Sequence, residues 1–400
     1  MMIPERPTLE RRVLAALDGA SGGGPRIAVV LGGCGTGRTS LLLRLRDLIG
    51  RNQAQYVDVE RIATTPERFL TALRESSPFP THPYGQNPAT PETGAREAFD
   101  AALAFLDTSR APGTVPATFL LDEFLELRTF ESFPGLRSVL RDLIGALASS
   151  GNRFVLTSRY VARALRLLRD APAQFEIIHV SPLSAEEVRA TLPGAHHDDH
   201  VRRGADAQAE EELDRQRDDL ARLVQALSDG RPSYARAIAE TATAMASRGA
   251  ADPLGALASL LAPGGQLAQS CRFCYELRLH RARGYGALKA ILDVLAHEEP
   301  LTLTEIAQRL RRTPGSTKDY LSWLEDVDLI GSKQKRYSFA DPMLRLWVRL
   351  HCRAVPPSED DLARELHEYV QARLPAAEPS LTLATEEAER EKSWGIIEID

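Results

Sequence analysis

The chain has 400 residues, enough for two or three domains that each bury a core of their own. With 43% hydrophobic residues, 26% charged residues and a net charge of −6, its composition is typical of an ordinary soluble protein. Four cysteines do not make a disulfide framework, no apolar run is as long as a membrane span, and residues 1–6 lack a signal-peptide pattern. We therefore expect a cytoplasmic protein without a membrane partner.

The charge is uneven along the chain. Residues 354–400 carry 12 acidic and 4 basic side chains, a net of −8, which leaves +2 for residues 1–353. A stretch of this kind is typical of a solvated or partner-binding extension. We expect residues 354–400 to form an acidic tail, with a helix at 359–374.

A glycine-rich turn follows the first predicted strand, Ile27–Leu31, and precedes a predicted helix over 38–49. The turn has the spacing G-x4-G-R-T, one letter away from the phosphate-binding loop G-x4-G-K-[ST]. Glycines let successive backbone N–H groups point inward, and the helix N-terminus adds its partial positive charge. We expect ATP or ADP to be bound by Gly32, Gly33, Cys34, Gly35, Thr36, Gly37, Arg38, Thr39 and Ser40.

Arg38 stands where that motif has a lysine. An arginine keeps the positive charge but replaces a compact ammonium with a longer planar fork. Binding depends largely on the backbone and on Thr39, so we expect it to be retained, whereas hydrolysis needs finer positioning. A glycine-rich turn that binds nothing is the alternative.

A second motif closes a strand predicted over 117–123, after a predicted strand at 55–59. It ends in Asp122 and Glu123, the form of a Walker B strand. We assign Asp122, with Thr39, to Mg2+ and Glu123 to the role of general base or water-positioning group. A pair of acids that merely starts a turn is the alternative.

Polar residues also end the next strand, predicted over 153–159 after a helix at 133–149. At the carboxyl edge of a parallel sheet such residues lie at the ligand crevice. Thr157 or Ser158 could sense the γ-phosphate, and Arg159 could stabilise charge there or be a surface residue. A last strand is predicted over 175–180, and Ser184 and Glu187 form a capping box.

The alternation of strands and helices predicts a three-layer α/β core with a parallel sheet, a P-loop NTPase core. The strand at 55–59 and the Asp-Glu pair favour the additional-strand, catalytic-glutamate ATPases. Residues 25–190 resemble the archaeal-type ATPases of the STAND/AAA+ group, related in layout to replication-initiator ATPases. The resemblance is carried by both nucleotide motifs, the Thr-Ser-Arg strand end and the Ser-Pro-Leu-Ser turn, with Arg38 as the main departure.

An all-α lid is expected over residues 191–285. The resemblance implies that Gly230 and Pro232, a Gly-x-Pro turn, sit against the adenine, although a turn between two helices is the alternative. Arg236 could reach the phosphates as a second sensor. The cluster at 196–200 favours a polar loop over a metal site, and Cys271 and Cys274 favour helix packing.

Three helices and a hairpin over residues 286–353 predict a winged helix, which again resembles that family. Residues 300–353 carry 10 basic and 6 acidic side chains. Phosphate contacts would suit Lys318, Lys333, Lys335 and Arg336, although acidic residues lie near the same helix. DNA and protein both remain open as partners.

These observations predict a nucleotide-dependent switch with domains at 1–190, 191–285, 286–353 and 354–400. It would bind ATP or ADP with Mg2+ and hydrolyse ATP slowly, and it could assemble into a nucleotide-dependent oligomer. The alternative is a nucleotide-binding protein that does not hydrolyse ATP, with Arg38 marking the loss of catalysis.

Overall fold

A computed structural model describes residues 6–19, 27–80, 94–172, 174–192, 207–246, 251–280 and 284–374. Among these residues, seven strands lie in the N-terminal half: β1 Ile27–Leu31, β2 Ala54–Asp58, β3 Arg110–Ala111, β4 Val115–Pro116, β5 Thr118–Asp122, β6 Arg153–Ser158 and β7 Phe175–His179. Five of them form a parallel sheet in the order β2-β5-β6-β1-β7, and β3 and β4 pair separately. The predicted parallel α/β core is confirmed.

Strand β1 is an inner strand of the sheet, between β6 and the edge strand β7. It is an unbroken apolar run that is buried along its whole length, as strands covered on both faces are. At its carboxyl end Leu31 pairs with Ser158 of β6. Strand β5 lies beyond β6, so β6 separates the strand that leads into the glycine-rich turn from the strand that ends in Asp122.

Helices cover both faces of this sheet: α1 Pro7–Asp18, α2 Arg38–Ile49, α3 Val59–Ile62, α4 Pro66–Glu75, α5 Ala95–Thr108, α6 Val139–Ser149 and α7 Val161–Leu167, with a 3-10 helix at Phe124–Ser132. Alternate residues of β1 enter two different cores. Val30 packs with α1 and α2, and Val29 packs with α4, α5 and α6. The two cores and the sheet between them make the three layers.

Several predicted boundaries shift by one to three residues, and the start of one helix moves further. The helix expected from residue 133 begins at Val139, because Gly135 adopts a left-handed conformation with φ of +77° that interrupts a helix. Residues 124–132, for which no element was predicted, form the 3-10 helix.

Helices α8 Ala185–Thr191, α9 Ala207–Ser228, α10 Pro232–Ala246, α11 Pro253–Leu261 and α12 Gln266–His280 follow the sheet. The next elements are α13 Tyr285–Glu298, β8 Leu301–Thr302, α14 Leu303–Arg309, α15 Pro314–Asp326, β9 Ile330–Lys333, β10 Arg336–Phe339, α16 Pro342–His351 and α17 Glu359–Gln371. We call residues 284–351 the C-terminal unit. Its strands form an antiparallel sheet in the order β8-β10-β9, and its three helices followed by a hairpin match the predicted element order.

Helices α8 through α12, the C-terminal unit and α17 share a single hydrophobic core among the described residues. In α17, Leu366 and Tyr369 are buried in that core, and the Tyr369 hydroxyl donates to Leu227 O over 2.8 Å. The start of the predicted acidic tail is therefore a packed helix, and residues 375–400 lie outside the described residues. No helix in the described ranges has the length and apolarity to cross a bilayer.

Candidate functional site

The glycine-rich turn leaves β1 at the carboxyl edge of the sheet and ends at the N-terminus of α2. Gly35 and Gly37 have φ of +75° and +87°, a region that glycine enters without the steric cost other residues incur. Within the described part of the chain, the backbone N–H groups of residues 33–40 meet no hydrogen-bond acceptor. Unpaired N–H groups at a helix N-terminus form a site for an anion.

Arg38 folds back over this turn. Its Nη1 donates to Gly32 O and Gly33 O, and to Thr36 Oγ1 over 3.1 Å. Its Nη2 donates to Glu123 Oε1 over 2.5 Å, a buried ion pair in which both side chains are 9% exposed. The guanidinium thus donates to carbonyl oxygens of the loop and to Glu123, one of the two acidic residues. It leaves the backbone N–H groups of the loop free.

Asp122 lies next to the start of α2. Thr39 Oγ1 donates to Asp122 Oδ2 over 2.6 Å, and the Tyr56 hydroxyl donates to the same oxygen over 3.0 Å. Thr157 Oγ1 donates to the other carboxylate oxygen over 2.5 Å. Burial, and then the charge of Asp122, raise the pKa of Tyr56, so its hydroxyl stays a donor.

The predicted pair of magnesium ligands, Thr39 and Asp122, is therefore adjacent in space. Hydroxyl and carboxylate oxygens are the donors that Mg2+ prefers, and the remaining positions are usually filled by water and substrate phosphates. The described residues contain no group of three or more His, Cys, Asp or Glu side chains that could hold a metal ion by themselves. The pair thus fits a magnesium ion that arrives with a phosphate ligand.

Glu123 is held from two sides by cations. Besides Arg38, it meets Arg159, whose backbone N–H donates to Oε2 over 3.0 Å and whose Nε lies 3.4 Å from the same oxygen. Arg159 also pairs with Glu60 and lies 3.7 Å from Glu126 Oε1. Burial opposes the charge of Arg159, but the carboxylates of Glu123 and Glu60 outweigh it and raise the pKa of the guanidinium.

The two candidate sensors on β6 differ in their surroundings. Ser158 is fully buried, and its Oγ accepts from the backbone N–H of Tyr160 over 3.0 Å. Thr157 instead contacts Asp122 and accepts from the backbone N–H of Glu123 over 3.1 Å. Thr157 is therefore the residue of this strand whose side chain touches the acidic pair.

A cavity of about 430 Å³ opens beside the loop. It is lined by residues 35–40 of the loop and first turn of α2, and by Leu183, Pro232, Ser233 and Arg236. A methyl group added to Gly37 would lie 3.4 Å from the Pro232 ring, so the two residues face each other closely. Gly230 is not part of this lining. It packs with φ of +62° against Pro182 and Leu183.

Three residues with no role predicted from the sequence reach the loop from the C-terminal half: Arg231, Arg278 and Asp328. Arg231 donates to Cys34 O over 3.0 Å and to Ala340 O over 2.7 Å. Arg278 of α12 donates to Cys34 Sγ and to Asp328 O, each over 2.7 Å. Arg231 is the middle residue of the Gly-x-Pro turn, and that position is a signal in the sequence. Nothing local in the sequence marks Arg278 or Asp328.

Asp328 belongs to the turn between α15 and β9 and faces the loop. A Cβ added to Gly33 would lie 3.2 Å from Asp328 Oδ2. Burial raises the pKa of Asp328 to about 6, against the opposing effect of Arg278. The C-terminal unit therefore places a carboxyl group directly at the mouth of the loop.

Comparison with solved structures bears on this architecture. The chain superimposes on the Walker-type ATPase PABY2304 of Pyrococcus abyssi with a TM-score of 0.59 at 17% identity, covering 87% of this chain and 96% of that one. The fold is that of a P-loop ATPase. No family model matches the chain, and no curated protein is detectably similar to it in sequence.

Two further solved structures superimpose more loosely. The ORC1 protein of Aeropyrum pernix, in a complex with DNA, gives a TM-score of 0.43 at 17% identity, with 93% of this chain and 95% of that chain covered. The RuvB Holliday junction branch migration motor of Thermotoga maritima gives 0.39 at 11% identity, with 84% and 92% covered.

The remaining predicted site residues have simpler surroundings. Lys318, Lys333, Lys335 and Arg336 are all exposed on the C-terminal unit, and Arg336 also donates to Pro300 O over 3.0 Å. Arg236 is 43% exposed in the cavity, 4.0 Å from Glu240. The histidine cluster at 196–200 lies outside the described residues.

Proposed function

We propose that this protein is an ATP-binding switch of the AAA+ type that hydrolyses ATP slowly with Mg2+. The observation that carries the proposal is the contact between Thr39 Oγ1 and Asp122 Oδ2, at 2.6 Å, beside a loop whose backbone N–H groups lack acceptors. A phosphate chain and its metal ion need those two features side by side.

The chain's own residues would divide the work. Residues 33–40 would bind the phosphates through their N–H groups, and Thr39 and Asp122 would hold the metal ion, which neutralises developing charge on the phosphates. Tyr56 and Thr157, which donate to Asp122, fix the direction of its carboxylate. Pro232 and Arg236, which line the cavity, would border the rest of the nucleotide, whereas Gly230 would act only by shaping the turn that places Pro232.

Glu123 would orient the attacking water, and its surroundings support slow turnover. A carboxylate that is occupied by Arg38 at 2.5 Å and by Arg159 cannot accept a proton from water at the same positions. Arg38 therefore has to leave Glu123 before the chemical step. Arg159, and Thr157 or Ser158, would then report on the γ-phosphate.

The contact between Arg38 and Glu123 favours a second function, nucleotide binding without turnover. If Arg38 stays on Glu123 when nucleotide binds, the protein is a binding module rather than an enzyme. Either way the state of the loop can reach the C-terminal unit, because Arg231 bonds both Cys34 O and Ala340 O. We propose that this unit is a winged helix that contacts DNA or protein.

The test starts with the purified full chain. Its bound nucleotide is identified by chromatography, and phosphate release from ATP is measured for the wild type and for Glu123→Gln. We expect the variant to bind ATP as the wild type does and to lose at least about 90% of turnover, since one positioning group is typically worth a factor of 10² or more.

Glu176→Gln is the matched control, because Glu176 lies in the same sheet on β7 and pairs with Arg12 outside the site. It should leave turnover unchanged. Full turnover in Glu123→Gln would remove the role given to Glu123, and a wild type that binds neither ATP nor ADP would overturn the function as a whole.

A further inference from the structure

Two cysteines from opposite halves of the chain meet at the loop. Cys34 belongs to the glycine-rich turn and Cys274 to α12, and their side chains lie within hydrogen-bonding reach of each other. Both are partly exposed and both are free thiols. Neither contributes to the phosphate or metal chemistry described above, which uses the backbone of residue 34 and not its sulfur.

The Cys34 sulfur is surrounded by positive charge. Arg278 Nη2 lies 2.7 Å from it, and Arg159 and Arg38 add their charges, whereas Asp328 is the acidic group on this side. The hydrogen bond from Cys274 and the arginine charges together lower the pKa of Cys34 well below its ordinary value, against the effect of burial.

Cys274 has the opposite character. Its contact with Cys34, together with burial, raises the pKa of its thiol, so it keeps its proton beside the Cys34 thiolate. Burial also raises the pKa of the other two cysteines, Cys271 and Cys352. Cys34 is thus the one cysteine of this chain whose thiol pKa is lowered. Cys352 is exposed, so it serves as an internal reference for thiol reactivity.

We infer that Cys34 and Cys274 form a peroxide-reactive dithiol, a modification site whose reagent is a hydroperoxide. Three features support this: a sulfur hydrogen-bonded to a guanidinium, partial exposure, and a hydrogen bond between the two thiols. A reactive thiolate poised beside a resolving cysteine is the arrangement that converts oxidation into a reversible disulfide.

The chemistry balances in two steps. The Cys34 thiolate attacks one oxygen of the hydroperoxide, the O–O bond breaks, and the alcohol or water leaves with one proton from solvent. Cys34 is then a sulfenic acid. The Cys274 sulfur attacks the Cys34 sulfur, the S–O bond breaks as the S–S bond forms, and the hydroxyl leaves as water with the Cys274 proton. Two thiols lose two electrons, and the peroxide gains them.

The disulfide would tie the glycine-rich turn to α12. Arg278 of α12 also bonds Asp328 O, so the turn would be held to the C-terminal unit. This consequence, unlike the disulfide itself, rests on the proposed function, because a loop fixed in this way cannot rearrange around phosphates. We expect the oxidised protein to bind nucleotide at least tenfold more slowly than the reduced protein.

The chemistry is tested on the reduced full chain with a few equivalents of hydrogen peroxide, followed by alkylation and peptide mass spectrometry. We expect a Cys34–Cys274 disulfide that dithiothreitol reverses. Cys34 should react about tenfold faster than Cys352, because its lowered pKa raises its thiolate fraction while burial raises the pKa of Cys352, and the lower nucleophilicity of a more acidic thiol removes part of that gain.

Two variants sharpen the result. In Cys274→Ser, Cys34 should stop at the sulfenic acid and be trapped by dimedone, and in Cys352→Ser the disulfide should form as in the wild type. Oxidation of Cys352 ahead of Cys34, or a disulfide between any other pair, overturns the proposal.

The effect on nucleotide is measured separately, as the association rate of a fluorescent ATP analogue with the reduced and the oxidised chain. Equal rates would overturn the regulatory consequence. If neither form binds the analogue, the proposed function fails, whereas the disulfide mapping still decides the dithiol proposal.

Discussion

At the scale of single residues, Arg38 is the most unusual feature of the site. Its guanidinium satisfies two loop carbonyls, a threonine hydroxyl and the carboxylate of Glu123 at once. Only a fork with several donors can make these contacts together, since an ammonium is a compact point charge. The substitution of arginine for lysine thus links the loop directly to the acidic pair in this state.

Replacing Arg38 by lysine should loosen that link. In Arg38→Lys we expect the release of Glu123 to raise ATP turnover by about tenfold or more, because breaking a buried ion pair costs about 3–5 kcal/mol and each 1.4 kcal/mol removed from the barrier is a factor of about ten in rate. Steady-state phosphate release measures this. Arg51→Lys, in an exposed pair with Asp47, is the control, and equal turnover in all three proteins would contradict the role given to Arg38.

Asp328 makes stability depend on pH in a defined direction. Its pKa is about 6 in the folded chain and about 3.9 when unfolded, so the folded state binds more protons between these values. Stability should therefore fall as pH rises from about 4 to 6 and stay lower above that. Arg278, Arg231, Arg38 and Cys34 are the charged or titratable groups that face it.

The variant Asp328→Asn should remove this contribution. Asparagine keeps the shape and tolerates the φ of +58° at this position, so the variant should gain stability relative to the wild type above pH 6, by at most about 3 kcal/mol, and none near pH 4. Urea unfolding at several pH values gives the difference. Asp319→Asn, an exposed change on α15, is the control, and a difference that does not vary with pH would refute the assignment.

At the scale of elements, the site depends on where strands and turns end. Strands β1, β5 and β6 stop at one edge of the sheet, which brings Gly32, Asp122 and Thr157 together. The turn that contains Gly230 and Pro232 forms the opposite wall of the cavity through Pro232. Gly230 O accepts from Leu183 N over 2.7 Å, so this turn is bonded to the segment that follows β7.

Gly230 tolerates no side chain for two separate reasons. It has a positive φ, and a Cβ there would lie 2.7 Å from Leu183 O. Gly264, with φ of +85° and nothing within 4 Å of an added Cβ, has only the first reason. We expect Gly264→Ala to cost about 1 kcal/mol of unfolding free energy and Gly230→Ala at least about twice that, measured by denaturant unfolding. Equal costs would mean that the contact with Leu183 is not tight.

At the scale of the whole molecule, the described residues of the helical half share one core. The hydrophobic cluster that begins at Leu183 continues through α12 and the C-terminal unit to Tyr369. The helices that border the cavity and those that precede the hairpin therefore pack in one shared core. A change at the loop can reach the hairpin through this shared core and through Arg231.

Salt dependence tests whether the hairpin contacts nucleic acid. Lys333 and Lys335 are exposed on it. If both meet phosphates, the double variant Lys333→Gln with Lys335→Gln should lower the slope of log binding constant against log salt by about 2. Fluorescence anisotropy with duplex DNA at several salt concentrations measures the slope. Lys289→Gln, on α13 beside Glu276, should leave it unchanged. Binding that does not respond to salt would favour a protein partner.

The sequence by itself determined the features that are encoded locally. The apolar run of β1, the glycines of the turn and the start of α2 are contiguous, so their backbone preferences predict the loop, and the run ending in Asp122 predicts its strand. Periodicity likewise predicted the parallel core and the order of helices and hairpin near the C-terminus.

Only the tertiary structure decided which side chains meet. Arg38 bonds Glu123 across 85 residues, Arg231 reaches Cys34 across 197 and Arg278 reaches it across 244. Spacing along a chain fixes which face of a helix or strand a residue occupies, but it does not fix which element packs against that face. The partners of Arg38 and Cys34 depend on the packing of the whole molecule.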